Sequence, residues 1–319
     1  MATIKDVAKA AKVSISTVSY ALNGDPRIPE KTASMINAIA QEIGYFPSAA
    51  ARNLKKRYTQ TILVAIADFG GPVYHNLLDG IHHELAMSNY TMIVSTGKSS
   101  ENLLKERNAD GAIITDIRIS DDSLRKISKN FRPIIVLDRE LEEPGIYQMT
   151  IDNYRAMREM TQTIIYEGYQ KIAFVHGVKD SHDNRSRYQG FQNAMRHANM
   201  EIFEEYEGNF TKESGTDISR KLLKSKQPLP EIFVAANDEM AIGIMDGLHE
   251  AGFQIPADYG VSGFDDIELS QYVKPQLTTV RIDHFSWGKD IAATILSLLK
   301  KQPVKLQMQP GKVIIRDSF

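Results

Sequence analysis

Two groups of side chains in this sequence have the types and spacing to do chemistry. The first is a run of hydroxyls, Ser14, Ser16, Thr17, Ser19 and Tyr20, with Ile15 among them. Hydroxyls both donate and accept, so such a surface suits phosphates and the edges of bases. The second group is scattered over polar loops: Ala67-Asp68, Leu137-Asp138-Arg139, Ile151-Asp152-Asn153, His176 to Arg187, Asn237-Asp238 and Gly263-Phe264-Asp265. Catalytic arrangements are missing. There is no Gly-x-Ser-x-Gly elbow, no phosphate-binding P-loop and no Gly-x-Gly-x-x-Gly after the first strand-like run. His82-His83-Glu84 is contiguous, and a helix would spread these neighbours over different faces, which suits a solvated surface rather than a metal site. Asp265-Asp266 is the densest carboxylate pair, with no partner spaced for general acid–base work. Without a single cysteine, disulfides, zinc–thiolate sites and thiol catalysis are all excluded. Neither an enzyme nor a bound metal or cofactor is expected.

The hydroxyl run must be held by residues 3–24, TIKDVAKAAKVSISTVSYALNG. Thr3 with Asp6 makes a capping box, and Ile4, Val7, Ala8 and Ala11 form one apolar stripe at helical spacing. Ser14 can cap a second helix that stops at Asn23-Gly24, where left-handed backbone costs little. Val13, Val18 and Leu22 then face inward, leaving Ile15, Ser16, Ser19 and Tyr20 outside. This is the layout of a helix-turn-helix, whose second helix enters the major groove of DNA. The competing reading is a plain helical cap. A third helix opens at Pro29-Glu30, buries Ala33, Ile36, Ala40 and Ile43, and ends at Gly44 before Pro47.

Charge separates the two groups. The 319 residues carry a formal net charge of −2, yet residues 1–58 hold nine Lys/Arg against four Asp/Glu. A basic head on an acidic body suits a head that neutralises phosphates. Between them, SAAARNLKKRY at 48–58 could form a helix too short to be stable alone, either an ordinary linker or a segment that folds on DNA. No stretch approaches the roughly 20 apolar residues that span a bilayer, and no signal peptide opens the chain, so a cytoplasmic protein is expected.

From Thr61 the texture changes. Strand-like runs are Ile62–Ala67, Thr91–Ser95, Gly111–Thr115, Pro133–Leu137, Lys171–His176, Glu231–Ala236, Gly260–Gly263 and Val313–Arg316. Helical stretches alternate with them: Tyr74–Met87, Arg155–Glu167, Arg187–Ala198, Glu213–Leu223, Glu239–Ala251 and Phe285–Lys300. Such alternation predicts an α/β fold of parallel, doubly wound sheets, and about 260 residues is large for one sheet, so two lobes are expected. Ligands of these folds sit at the carboxyl ends of strands, where the polar loops gather.

The segments TIKDVAKAAKVSISTVSYALNG, GYFPSAAARNLKK, VYHNLLDGI, TIDNY, RSRYQGF, AANDEMAIGIMDGL, VSGFDD and LTTVRID occur in one order along the chain. In that set and order the whole chain resembles the LacI/GalR family of transcriptional regulators. The resemblance implies an all-α helix-turn-helix headpiece at 1–47, a hinge helix at 48–58, and a core at 59–319 like the type I periplasmic sugar-binding proteins. It divides that core into an N-lobe of about 59–150 and 281–307 and a C-lobe of about 151–280 and 308–319. Ile15, Ser16 and Tyr20 fall at base-reading positions, Ser14, Thr17 and Ser19 nearer the phosphates, and Asn23 is a further DNA-binding residue. In the family, paired hinge helices enter the minor groove, with Leu54 here as the apolar wedge and Lys55 as its basic neighbour.

For the effector the resemblance assigns Asp152, Arg187, Asn237 and Asp265, with Tyr74 and Phe210 as aromatic platforms. Arg139, Asp68 and Asp183 stand on the same loops. Carboxylates, a guanidinium and an aromatic face fit a sugar better than a purine. The expected protein is thus a homodimeric repressor of a near-palindromic operator, controlled by a sugar that acts as inducer. Purine- or phosphoprotein-coregulated repression is the alternative within the family; outside it stands a sugar-binding protein or enzyme with an accessory helical domain. The segment Ser95–Ala109 leaves only Glu101–Arg107 for a helix that is longer in the family, which puts the dimer surface in question. The absence of a heptad tail before Phe319 favours a dimer over a tetramer.

Overall fold

Thr3 opens the first helix as its spacing predicts, its backbone N–H and hydroxyl both reaching the Asp6 carboxylate, at 2.8 and 2.7 Å. This helix, α1 (Ile4–Ala11), packs with α2 (Ile15–Leu22) and α3 (Glu30–Glu42) around Val7, Ala8, Ala11, Val18, Ala21, Ile36 and Ala40. Val13 and Leu22 flank that core partly buried, and Gly44 ends α3 at φ +65°. The computed structural model describes residues 2–46, 58–225 and 228–319. Most of the expected hinge, with Leu54 and Lys55, lies outside the described residues. The chain divides into two compact units, Met1–Thr59 and Gln60–Phe319.

In the second unit β1 (Thr61–Ile66) is followed by α4 (Val73–Met87), β2 (Thr91–Thr96), α5 (Gly97–Lys105), β3 (Gly111–Ile114), α6 (Asp121–Ser128), β4 (Ile134–Val136) and β5 (Ile146–Gln148). These strands form one parallel sheet in the order β2-β1-β3-β4-β5. Next come α7 (Asn153–Tyr166), β6 (Ile172–His176), α8 (His182–His197), β7 (Glu204–Glu207), α9 (Lys212–Ser225), β8 (Ile232–Ala235), α10 (Asp238–Glu250) and β9 (Gly260–Ser262). Their strands make a second parallel sheet, β7-β6-β8-β9. The central strands β1, β3, β6 and β8 read as near-continuous Val/Ile/Leu/Ala because helices cover both sheet faces.

The last elements depart from the expectation of uniformly parallel strands. β10 (Thr279–Ile282) and β11 (Gly311–Ile314) pair antiparallel, with α11 (His284–Leu299) between them in sequence. β11 thus begins two residues earlier than the Val313–Arg316 run and joins neither parallel sheet. Three strands and one helix escaped the periodicity: β5 and β10 are short, β7 is the charged edge EEYE, and α6 is eight residues rich in charge. The short helix near 101 begins earlier, at Gly97.

Although it comes late in the chain, α11 packs on α4 of the first lobe. Gly80 and Gly288 let these helices touch backbone to backbone; a Cβ on Gly80 would lie 2.1 Å from the Phe285 carbonyl, and one on Gly288 2.4 Å from that of Leu77. α11 thus lies with the first sheet while β10 and β11 pack on α7, so the chain crosses between the two sheets in three passages, after β5, after β10 and before β11. The first and third passages run side by side, Asp152 N–H donating to the Gln309 carbonyl and Gln309 N–H to that of Thr150, both at 2.9 Å.

Candidate functional site

On the headpiece the exposed side of α2 begins with Ser14, whose hydroxyl accepts from the Thr17 N–H at 3.1 Å and shares a hydrogen bond with the Thr17 hydroxyl at 2.8 Å. Capping in this way aims the helix N-terminus, a ready anion site, outward. Ile15 is 44% exposed, an apolar side chain with no core to enter. Ser16 is exposed, while Ser19 and Tyr20 are half-buried. Asn23 turns its amide back to the Ser19 carbonyl at 2.5 Å, so part of its hydrogen-bonding capacity closes the helix. Sequence reasoning missed Arg27. Its guanidinium lies 4.3 Å from the centroid of the Tyr20 ring and forms a bidentate pair with Asp25, fixing the face that Tyr20 presents.

The second unit holds a cavity of about 480 Å³ between its lobes, at the carboxyl ends of both sheets. Both strand orders reverse there, between β1 and β3 and between β6 and β8. Tyr74, Asp183, Arg187, Phe210, Asn237 and Asp265 all reach this cavity. Ser181 caps α8 through Asn184, so the helix starts a full turn before Arg187. Asp183 and Arg187, four residues apart, therefore share one face.

Arg187 is the centre of the network and only 3% exposed. It donates to Asn153 Oδ1 at 2.8 Å, to the Ala236 carbonyl at 2.6 Å and to Asp265 Oδ1 at 3.2 Å, and it lies 3.8 Å over the Phe264 ring. Three of its five N–H groups donate to these partners among the described residues. Asn153 passes the constraint on by donating to Asp183 at 2.8 Å. Asn237 is both a cap and a brace: its oxygen accepts from Met240 N–H at 3.1 Å, and its amide donates to the Phe210 carbonyl at 2.9 Å. Phe210 (φ +70°) and Asp265 (φ +108°) both hold left-handed backbone, which costs about 1–3 kcal/mol per residue and recurs at ligand sites. Gly177 makes room for the ring; a Cβ there would sit 2.1 Å from it.

Burial pushes Asp265 up to about 6 against the pull of Arg187, helped by the field of Asp183. Behind it Asp238 is fully buried, and burial with the Asp265 charge pushes it up to about 8. It accepts from Thr279 Oγ1, Ser270 Oγ and Ile267 N–H at 2.5, 2.6 and 2.9 Å, tying α10 to the strand that leaves the lobe. Asp266, next to Asp265, turns the other way and pairs with Arg281 and Arg316.

Residues 3–48 match the bacterial regulatory proteins, lacI family, and residues 161–319 the periplasmic binding protein-like domain. The ribose operon repressor of Escherichia coli (strain K12) is 32% identical over 327 residues, spanning 97% of this chain and 98% of that one. The chain belongs to the LacI family. Catabolite control protein A of Priestia megaterium is 31% identical over 309 residues, covering 94% of this chain and 92% of the relative. Among solved structures, a lac repressor dimer bound to operator and the anti-inducer ONPF superposes with a TM-score of 0.87 at 25% identity, covering 99% of this chain and 98% of that one. A LacI family regulator from Enterococcus faecium with bound ribose gives 0.74 at 29% identity, covering 81% and 98%.

Within this LacI family core, two of the expected effector residues stand elsewhere. Arg139 is outside the cavity lining, spent on Asp138 and Asp121 at 3.0 Å and on the carbonyls of Ile119 and Asp116 at 2.6 and 2.8 Å. It braces the loop that presents Asp138. Asp152 is the N-cap of α7, accepting from Arg155 N–H at 3.2 Å, and its neighbour Asn153 is the residue that turns inward. His284, Trp287 and Glu239 line the cavity unforeseen. Burial holds the His284 ring down to about 4, so it is neutral at neutral pH. Among the described residues neither of its ring nitrogens nor the Trp287 Nε1 has a hydrogen-bond partner. The only signal for these two was their place on the first turn of a helix directly after a strand.

Proposed function

We propose that this chain is a transcriptional repressor that binds a near-palindromic operator as a homodimer and releases it when a small sugar enters the core cavity. One observation carries the effector half of that reading: six polar and aromatic side chains from five separate segments meet around a cavity of about 480 Å³ where both sheets present their carboxyl ends. Arg187 and Asp265 offer donors and an acceptor to vicinal hydroxyls, and Phe210 and Tyr74 supply faces for the apolar C–H side of a sugar ring. A purine would want a flat stacking slot with amide pairing; the Asn237 amide is already committed to Phe210.

The DNA half rests on the headpiece. Ile15, Ser16 and Tyr20 read base edges, with Ser14, Thr17, Ser19 and Asn23 at the phosphates and Leu54 with Lys55 at the minor groove. Closing the cleft shifts one lobe against the other through passages that the two share, and this alters the spacing of the two headpieces in the dimer. Such a protein acts where the DNA is, in the cytoplasm, and needs no catalytic residue.

Selection of operators from random DNA by the full-length protein, with and without a panel of sugars, tests the whole reading. Enrichment of a palindrome that a sugar abolishes is the expected result; no enriched sequence, or none that responds to a sugar, would overturn it. Leu54→Ala should weaken operator binding at least tenfold in gel shifts while leaving any sugar-induced thermal shift intact.

A further inference from the structure

The cavity carries more negative charge than a neutral sugar calls for. Five carboxylates line it, Asp68, Asp138, Asp183, Glu239 and Asp265, against one guanidinium, Arg187. Arg187 balances Asp265, and Arg139 balances Asp138 from behind the wall. No ion pair among the described residues involves Asp68, Asp183 or Glu239. Arg118, whose charge interacts with that of Asp68, is itself paired with the buried Asp116 at 2.8 Å. Asp68 accepts from the Gly70 N–H, and Asp183 from the Asn153 amide.

These charges oppose one another across the cleft. Asp68 follows β1 in the first lobe; Glu239, on the first turn of α10 in the second, is raised by burial first, then by the field of Glu213 and that of Asp68 across the cleft. Asp183 of the second lobe acts in the same sense on Asp138 of the first. Like charges on facing walls resist closure until something positive lies between them. No group of three or more His, Asp or Glu among the described residues is placed to hold a metal ion; a positively charged ligand would supply the missing charge. An independent observation points to a polar ligand in the same space: His284, 9% exposed, faces the cavity with both ring nitrogens unpartnered among the described residues, one able to donate and the other to accept.

We propose that the effector is a polyol bearing a protonated primary amine, an amino sugar in chemical class, with its ammonium between Asp68 and Glu239 and its hydroxyls on Arg187, Asp265 and His284. This rests on the sugar-effector reading above and narrows it. An ammonium donates three hydrogen bonds and cancels repulsion between the lobes at the moment they close. A neutral sugar relieves none of that repulsion, and a phosphorylated sugar adds to it.

Isothermal titration of the full-length protein with glucosamine, galactosamine and mannosamine, set against their parent hexoses, N-acetyl forms and 6-phosphates, tests the proposal. At least one free amine should bind tenfold or more tightly than both its parent and its N-acetyl form, and its 6-phosphate should not bind. Glu239→Gln should reduce the preference to within about twofold; Asp68→Asn, on an exposed loop, serves the same purpose should the first variant fold poorly. Parent sugars that bind as well as the amines, or a preference that survives both substitutions, would overturn the amine assignment and leave the sugar-effector reading standing. If no sugar of any charge binds, both fall.

Discussion

The two walls of the cavity are built differently. On the second lobe Arg187, Asn237 and Asp265 are nearly inaccessible and held by hydrogen bonds to Asn153, the Ala236 carbonyl, Phe210 and Met240. The first-lobe wall is mixed: His284 and Trp287 on α11 are buried, but Asp68 is exposed on a loop with Phe69 at 75% exposure, and Tyr74 is half-buried on the opening turn of α4. One wall is organised before any ligand arrives, at the expense of buried charge and left-handed backbone. On the other, the Asp68 loop is the exposed part, so under the proposed sugar control capture would fall to the second lobe and closure to that loop.

That contrast can be broken experimentally, because substitutions on the organised wall should cost stability as well as binding. Arg187→Met would leave Asp265 buried without its cation, and a loss of about 3–5 kcal/mol in denaturant unfolding is expected, together with loss of any sugar-induced thermal shift. A variant as stable as wild type would show that the pair is not part of a preformed wall. His284 sharpens the same point through pH. Its folded value of about 4 lies below the ordinary 6.5, so the folded state binds the proton less well than the unfolded chain. Its neutral ring is compatible with the fold above pH 6.5, and stability is lost as pH falls from there towards 4, by about 3 kcal/mol at most. His284→Phe should remove that part of the slope; identical pH profiles for variant and wild type would contradict the burial argument.

Smaller effects follow further from the network. Asn237→Ala deletes a helix cap and the brace on Phe210, for about 1–2 kcal/mol of stability and a weaker sugar response. Asn237→Asp should keep the cap but set a buried carboxylate oxygen against the Phe210 carbonyl, so it should recover little of the stability. Asp68→Asn, on the open wall, should change stability by no more than about 0.5 kcal/mol while altering ligand affinity. A loss above 2 kcal/mol there would mean that the open wall is as organised as the other.

Much of this was legible in the linear chain, though unevenly. Buried parallel strands declare themselves as apolar runs, and the helices between them by period. The edge strand Glu204–Glu207 carries no such mark, because it borrows its hydrogen bonds from β6 and exposes its side chains. The polar loops at strand ends were visible too, but not which residue of each would turn inward. Asp152 and Asn153 are neighbours of similar size and polarity, yet one closes a helix and the other links Arg187 to Asp183. Arg139 lies on the loop after β4 and Arg187 in the second turn of α8, and only the second faces the ligand space.

Sequence by itself determined the kind of molecule: a basic three-helix head, an α/β core and a set of strand-end polar loops, since these follow from local spacing, capping and charge. Tertiary structure alone decided the chemistry of the cavity. His284 and Trp287 join it because the close crossing at Gly80 and Gly288 returns α11 to the first lobe, some two hundred residues after β1. Whether a carboxylate is balanced or left for a ligand depends on which cation lies beside it in space, and that distance is set by packing between segments far apart in the chain.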